Sequence, residues 1–406
     1  MLKKIYITIL FLISVFPLYA DWENCYFRGT PNGWGTSKME KISLNLWKIN
    51  VKFLDDDGSG GPRFKISRYP DWSESYPAED YRVEKESLYE IIFQSEAKVI
   101  YLKKLNWKYR GGNTMFFKGS YVALVTPFTK EGAIDEEKLR MLVNYHVENK
   151  TAGISPCGTT GESPTLTHEE HKKIVKIVVE EAKGRIHVMA GAGSNSTAEA
   201  IELAKFAKEV GADSVLSICP YYNKPVQRGV YAHFDSIAKS VNIPVMLYNV
   251  PGRTGINMSP ETVYELSKLD NIKGIKEASG NIEQVCNILN LCGENIDVLS
   301  GDDALLLPMM SVGAKGVVSV TANFMAKEVA ELIENFNAGK IEEARKMHNK
   351  LYRLSQAMFI ETNPVPVKAV MSMLGRIENN VRLPLVQLSE GSIETLKKLM
   401  KEVEII

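Results

Sequence analysis

The chain has 406 residues, 45% of them hydrophobic and 24% charged, with 49 basic side chains against 49 acidic ones. That length allows two or three domains with sizeable cores, and the composition excludes a disordered or collagen-like chain. A net charge of zero gives no global field for nucleic acid or an anionic membrane, so neither is expected as a partner.

The first twenty residues, "MLKKIYITILFLISVFPLYA", have a basic start at Lys3 and Lys4, an apolar run and a small residue at Ala20. This is the pattern of a secretory signal peptide cleaved after Ala20, leaving no membrane segment in the mature chain. The run is also nearly long enough to act as an uncleaved anchor.

Residues 21–104 are rich in aromatics, Gly and Pro. "RFKISRYPDW" and "LYEIIFQSEAKVIYLKK" alternate apolar and polar positions, and "DDDGSGGP" is a turn cluster. The spacing predicts a small all-β sandwich. Residues 105–114, "LNWKYRGGNT", read as a linker, and Met115 beyond it can serve as a start of its own.

From Phe116 short apolar runs alternate with amphipathic segments, eight times over about 220 residues. "SYVALVTPF", "GISPCG", "IHVMAGAG", "DSVLSICP", "IPVMLYNVP", "IKGIKEAS", "DVLSGDD" and "KGVVSVTAN" are the predicted strands. Their lack of alternation fits parallel strands covered on both faces. Thr167, Ser196 and Ser259 are placed to cap the helices that follow. The pattern predicts an α/β fold, a (β/α)8 TIM barrel over residues 116–339. A doubly wound sheet is the alternative, but "VTPFTKEG" after the first strand is no Gly-rich phosphate loop. Residues 340–406 carry only helical patterns and form a C-terminal helical appendage.

The five cysteines form no CxxC pair, and histidines number six. An odd, scattered set argues against a disulfide framework and a cysteine zinc site, and no metal or other cofactor is expected.

In such a barrel the C-terminal ends of the strands face the active site. Those ends bring Thr159 and Thr160, Tyr221 and Tyr222, Tyr248 and Arg253, Lys276, the "SGDD" segment and the strand through Val318 towards one mouth. Lys276 is the anomaly, a charge inside an apolar strand. Pairing with Glu277 is poor, because strand neighbours point to opposite faces. A free lysine titrates near ~10.4, and burial lowers that value, so an amine on a barrel strand can form a Schiff base with a carbonyl compound. The resulting iminium yields an enamine able to attack an aldehyde. Phenols and a threonine around it can pass protons, though Tyr222 and Tyr248 can equally cap the barrel and Thr159 can simply serve a turn. Arg253 suits a carboxylate, or else sits solvated in its turn.

These motifs resemble the 4-hydroxy-tetrahydrodipicolinate synthase family, also called dihydrodipicolinate synthase. "ALVTPF", "GTTGESPTL", "YYNKP", "YNVPGRTG", "GIKEASG", "SGDDA" and "GVVSVTAN" carry the resemblance from Phe116 to Ile406. It implies a lyase that condenses pyruvate with aspartate 4-semialdehyde in lysine and diaminopimelate biosynthesis. Lys276 would form the Schiff base and Tyr248 would donate and accept the proton. Thr159 and Tyr222 would complete a relay, with Tyr222 reaching across from a neighbouring subunit of a homotetramer. Thr160, helped by the backbone of Val318, would hold the pyruvate carboxylate, and Arg253 that of the semialdehyde. Ser163, Pro164, His168, His171, Asn195, Glu199 and Tyr221 would bind L-lysine as feedback inhibitor. The family works in the cytoplasm, which conflicts with the leader at Met1–Ala20.

Two rival readings stay open. One is a related pyruvate-dependent aldolase, such as N-acetylneuraminate lyase or a keto-deoxy sugar acid aldolase. The other is a secreted carbohydrate-binding protein with an incidental barrel, since "CYFRGTPNGWG" resembles starch- and glycogen-binding modules and Trp34, Trp47 and Trp72 are of the type that stacks on sugars.

Overall fold

The structure, a computed structural model, describes residues 25–29, 37–43, 46–53, 63–68, 75–82, 87–95, 99–105 and 116–406. The leader, Trp34, Trp72 and nearly all of the 105–114 linker lie outside them. The chain divides into two compact units, Met1–Gly112 and Asn113–Ile406.

The first unit contains two antiparallel four-stranded sheets. β1 (Tyr26–Gly29), β2 (Ser37–Lys38), β5 (Arg63–Ser67) and β6 (Ser75–Arg82) form one, in the order β2-β1-β5-β6. β3 (Glu40–Ser43), β4 (Leu46–Phe53), β7 (Ser87–Gln94) and β8 (Val99–Leu105) form the other. Phe27, Phe64 and Ile66 from one sheet and Trp47, Ile91 and Phe93 from the other share one buried cluster. Tyr76 of β6 stacks on Phe93 of β7 at 5.8 Å between ring centroids. The sheets therefore pack face to face, the arrangement that alternating strands require. Trp47 is 2% exposed and spends its ring on this core, so it presents no face to a sugar.

The second unit is a closed barrel of eight parallel strands. They are β9 (Gly119–Ala123), β10 (Gly153–Ser155), β11 (His187–Gly191), β12 (Ser214–Ile218), β13 (Val245–Asn249), β14 (Ile272–Glu277), β15 (Asp297–Ser300) and β16 (Gly316–Ser319). The (β/α)8 expectation holds. Around them lie α1 (Glu136–Glu148), α2 (His168–Ala182), α3 (Thr197–Glu209), α4 (Gln227–Ser240), α6 (Pro260–Ser267), α7 (Ile282–Cys292), α8 (Leu306–Ser311) and α9 (Ala326–Asn337). A single helical turn, α5 (Pro251–Thr254), is inserted directly after β13. Thr167 closes a full capping box on α2, and Ser259 caps α6 through the Thr262 amide. Ser196 holds the N-cap position of α3 but makes no side-chain cap bond.

Strand alternation sorts the residues into two layers. Val122, Ile154, Val188, Val215, Leu247, Ile275, Val298 and Val317 pack outward against the helices. Phe117, Tyr121, Met189, Leu216, Met246, Tyr248, Leu299 and Val318 fill the inside. At the floor, Asp297 accepts the backbone amides of Phe116 and Phe117 at 2.7 and 2.9 Å. Phe117, Tyr121 and His187 meet there edge to face, with centroids 5.5 to 6.1 Å apart. Gly274 on β14 admits this plug, since a Cβ there would lie 2.6 Å from the Phe117 ring.

The C-terminal region adds α10 (Ile341–Ala357), α11 (Val365–Met373) and α12 (Glu390–Glu402). It is bolted to the loop after β10. Lys368 of α11 is fully buried and pairs with buried Glu162 at 2.6 Å. Burial pulls the Lys368 ammonium down to about 8, against the opposing pull of Glu162. Glu162 also accepts the Arg382 amide at 3.1 Å, while the Arg382 guanidinium grips Glu170 through two nitrogens.

Removing one member of a buried pair strands the other charge. Lys368→Met is expected to lower stability by ~3–5 kcal/mol, and adding Glu162→Gln to recover part of that loss. Thermal unfolding of the single and double variants measures both.

Candidate active site

Lys276 is the penultimate residue of β14, in register with Tyr248 of β13 and Leu299 of β15. Gly274, two positions earlier, faces the Phe117 plug inside the barrel, so Lys276 faces inward too. Its side chain is 7% exposed, and its Nζ lies 4.2 Å from the centroid of the Tyr248 ring. Among the described residues no carboxylate stands within salt-bridge distance of it. Glu277 is turned the other way. Its carboxylate accepts Asn249, Gln284 and the Ser279 amide at 2.7 to 3.0 Å. The neighbouring acid is thus saturated on the outer face, as strand geometry predicts.

Lys276 opens into a cavity of about 150 Å³. That is small beside the ~300–1,000 Å³ of a drug-sized site. Ser155, Gly158, Thr159 and Thr160 form one wall, Tyr248, Val250 and Arg253 another, and Gly301 and Asp302 a third. Thr159 is half-buried in the turn after β10 and Thr160 is 3% exposed. Arg253 enters on α5, immediately beyond the β13 end. In the "SGDD" segment the two acids part company. Asp302 lines the cavity, whereas Asp303 accepts Ser319 Oγ at 2.5 Å and the Val320 amide at 2.8 Å, fixing the end of β16.

Lys276, Tyr248, Thr159, Thr160 and Arg253 therefore converge, as expected. Two others stand apart within one chain. Val318 belongs to the inner barrel cluster at 1% exposure, and Val320 instead lines the cavity. Tyr222 sits on the loop after β12 with φ +69° and is 89% exposed. The sequence reading missed Asn363 and Phe359, which reach the cavity wall from the C-terminal region. Asn363 donates from Nδ2 to Thr160 Oγ1 at 3.0 Å, and its backbone carbonyl receives Arg253 Nη2 at 3.4 Å. The available signal was "ETNPVPVK", a polar Asn set among prolines in an apolar segment.

A second cluster forms where α2 meets the start of α3. His168 Nε2 lies 2.7 Å from Glu199 Oε1, and the Ser194 hydroxyl also donates to Glu199. His171 is 6% exposed and sits 2.8 Å through Nε2 from the Gly191 carbonyl, with Ser163 Oγ 3.4 Å from Nδ1. A carbonyl can only accept, so Nε2 carries the proton and Nδ1 accepts from Ser163. Burial pulls the His171 pKa below its ordinary value, which keeps the ring neutral. Asn195 joins through its carbonyl, held by Asn223 Nδ2 at 2.9 Å. Pro164 is exposed beside Ser163 in its 3-10 turn, and Tyr221 is 37% exposed on the β12 loop. No group of acids, histidines and cysteines able to hold a metal is found among the described residues. Nor is any helix among them long and apolar enough to cross a membrane.

Fold and site together define a class, a (β/α)8 barrel presenting a buried lysine amine to a small cavity lined by both polar and apolar side chains. The model of the dihydrodipicolinate synthetase family matches residues 116–403, and the chain belongs to that family. It is 56% identical over 290 residues to the 4-hydroxy-tetrahydrodipicolinate synthase of Geobacter sp. (strain M21), covering 71% of this chain and 100% of that one. Among solved structures, the chloride-inhibited dihydrodipicolinate synthase of Acinetobacter baumannii complexed with pyruvate is 42% identical with a TM-score of 0.70, over 71% of this chain and 99% of that one. The enzyme of Cyanidioschyzon merolae with lysine bound is also 42% identical, with a TM-score of 0.71 over 72% of this chain and 100% of that one.

The position of the amine depends on a glycine. A Cβ at Gly301 would lie 2.5 Å from Ala278 Cβ and 3.1 Å from Lys276 Cε. Misplacing a reacting group by about 1 Å can cost roughly 100-fold in rate. Gly301→Ala is expected to slow borohydride-trapped capture of an α-keto acid at Lys276 by about tenfold or more, read by mass spectrometry against time.

Proposed function

We propose that this chain condenses pyruvate with L-aspartate 4-semialdehyde to 4-hydroxy-tetrahydrodipicolinate through a Schiff base on Lys276, in lysine and diaminopimelate biosynthesis. The observation that carries the reading is the Lys276 amine itself, buried with no carboxylate within salt-bridge distance among the described residues, over the Tyr248 ring and at a small cavity of mixed lining. The names of the Geobacter relative and the pyruvate-bound Acinetobacter structure support it.

The Lys276 amine adds to the pyruvate keto carbon and expels water, leaving an iminium. Loss of a methyl proton to Tyr248, relayed by Thr159 and Tyr222, gives the enamine. Its nucleophilic carbon bonds to the aldehyde carbon of the second substrate, whose oxygen takes the returning proton to become a hydroxyl. The amino group of that substrate then displaces Lys276 from the imine carbon. The ring closes and the lysine is freed. Thr160 holds the pyruvate carboxylate, with help from the backbone at Val318, and Arg253 holds the carboxylate of the semialdehyde, the role a planar guanidinium suits. A sugar-acid aldolase would need neither Arg253 nor a second tyrosine at Tyr222, which favours the synthase over its relatives. Tyr222, exposed on its own chain, acts in this reading at the cavity of a neighbouring copy in a homotetramer.

Incubation with pyruvate and borohydride is expected to add one reduced pyruvate to the peptide carrying Lys276. Lys276→Arg should abolish both the adduct and turnover with the semialdehyde. An unlabelled wild-type peptide overturns the assignment.

The second cluster takes L-lysine as inhibitor. Glu199 receives an ammonium of the ligand, while Asn195 and Tyr221 serve the carboxylate, with Ser163, Pro164, His168 and His171 around them. The lysine-bound structure of the Cyanidioschyzon enzyme supports this. Glu199 meets His168 and Ser194 and, as a carboxylate, keeps acceptor sites for an ammonium. Millimolar lysine is expected to depress the wild-type rate, and Glu199→Gln to raise the half-inhibiting concentration about tenfold or more, since a hydrogen bond to a charged group contributes ~1.5–3 kcal/mol. Equal inhibition curves would refute the site.

A further inference from the structure

Among the polar side chains of the cavity wall that the proposed chemistry does not use, Asn363 is the one bonded to residues assigned to the substrates. Asn363 lies between α10 and α11, 4% exposed, on a segment outside the barrel strands. It touches both groups assigned to substrate carboxylates, Thr160 through its amide nitrogen and Arg253 through its backbone carbonyl.

The direction of the first bond matters. Thr160 has one proton to give and two lone pairs. In the amide orientation of the structure, in which Asn363 Oδ1 has no partner among the described residues, Nδ2 donates to Thr160 Oγ1 at 3.0 Å, which occupies a lone pair of Thr160 and leaves the hydroxyl proton uncommitted. A hydroxyl held this way faces an incoming carboxylate as a donor. Were the neighbour an acceptor, it would compete with the substrate for that proton. Five residues on, the buried Lys368–Glu162 pair anchors the same segment two residues beyond Thr160. The C-terminal region thus grips the "GTTGE" turn at Glu162, through Lys368 and the Arg382 amide, and at Thr160, through an oriented side-chain amide.

We infer that Asn363 is a positioning residue that acts through Thr160, setting its hydroxyl as a donor to the carboxylate of the α-keto acid, while its backbone carbonyl tethers Arg253. The site is then built from the barrel and the C-terminal region jointly, with Asn363 linking the subsites of the two substrates. This inference rests on the pyruvate reading above.

A double-mutant cycle tests it, with kcat/KM for pyruvate as the readout. Asn363→Ala is expected to lower that value about tenfold in the wild-type background and less than about twofold in a Thr160→Val background, since a residue acting through another loses its effect when the other is gone. Equal factors in the two backgrounds, or no effect in the first, overturn the inference. Asn363→Asp guards against a folding artefact, because it keeps the side-chain shape while placing an obligatory acceptor beside Thr160. It is expected to raise KM for pyruvate at least tenfold with the thermal midpoint retained, and an unchanged KM overturns the inference. Pyruvate trapping at wild-type Lys276 separates the two levels. An adduct together with additive losses removes the role of Asn363 alone, whereas absence of the adduct removes the reading beneath it.

Discussion

The chemistry at the mouth of this barrel depends on one amine that is buried at a small cavity with no carboxylate beside it among the described residues. Burying a charge is tolerated when it is paired, and the protein contains that solution in Lys368, which meets Glu162 at 2.6 Å in a fully buried contact. Lys276 receives the opposite treatment. Its chain neighbour Glu277 could have neutralised it, but the two-residue strand repeat sends that carboxylate to the outer face, where Asn249 and Gln284 occupy it. Alternation along β14 therefore does chemical as well as structural work. It withholds the neighbouring carboxylate from the lysine, which meets the Tyr248 ring and the cavity.

Much of this was legible in the sequence, for reasons that also mark where legibility stops. Strands buried on both faces read as continuous apolar runs, and in a closed parallel barrel their C-terminal ends share one mouth. That rule is local and repeats at every strand, so Thr159, Thr160, Tyr248, Arg253 and Lys276 could be placed together from the chain alone. It says nothing about residues that arrive from elsewhere. Asn363 and Phe359 come from the C-terminal region, where helical periodicity predicts an element but not its docking partner. An appendage by pattern proved to be part of the cavity wall. Depth was also beyond the rule. Val318 lies on the last strand and packs with the floor aromatics, while Val320, just beyond the end of that strand, is the one that lines the cavity. Ser196 shows the same limit at a smaller scale, since it holds the cap position without making the bond.

The loop after β10 is the point where these separate constraints meet. Glu162 takes a left-handed backbone conformation, φ +57°, uncommon for a residue with a side chain, and it holds there because Lys368, the Arg382 amide and Thr165 all bind it. Thr160 lies two residues before it and faces the cavity, while Ser163 lies directly after it and faces the second cluster. One turn thus supplies residues to two sites, held from behind by the C-terminal helices.

The Asp297 carboxylate that secures Phe116 and Phe117 lies at the opposite pole of the barrel from Lys276. This anchor and the reactive amine therefore occupy different ends of one cylinder, separated by tiers of buried side chains. A change at the base can then alter heat tolerance while leaving the rim untouched, whereas a change at the Lys368–Glu162 pair, two residues from Thr160, reaches both.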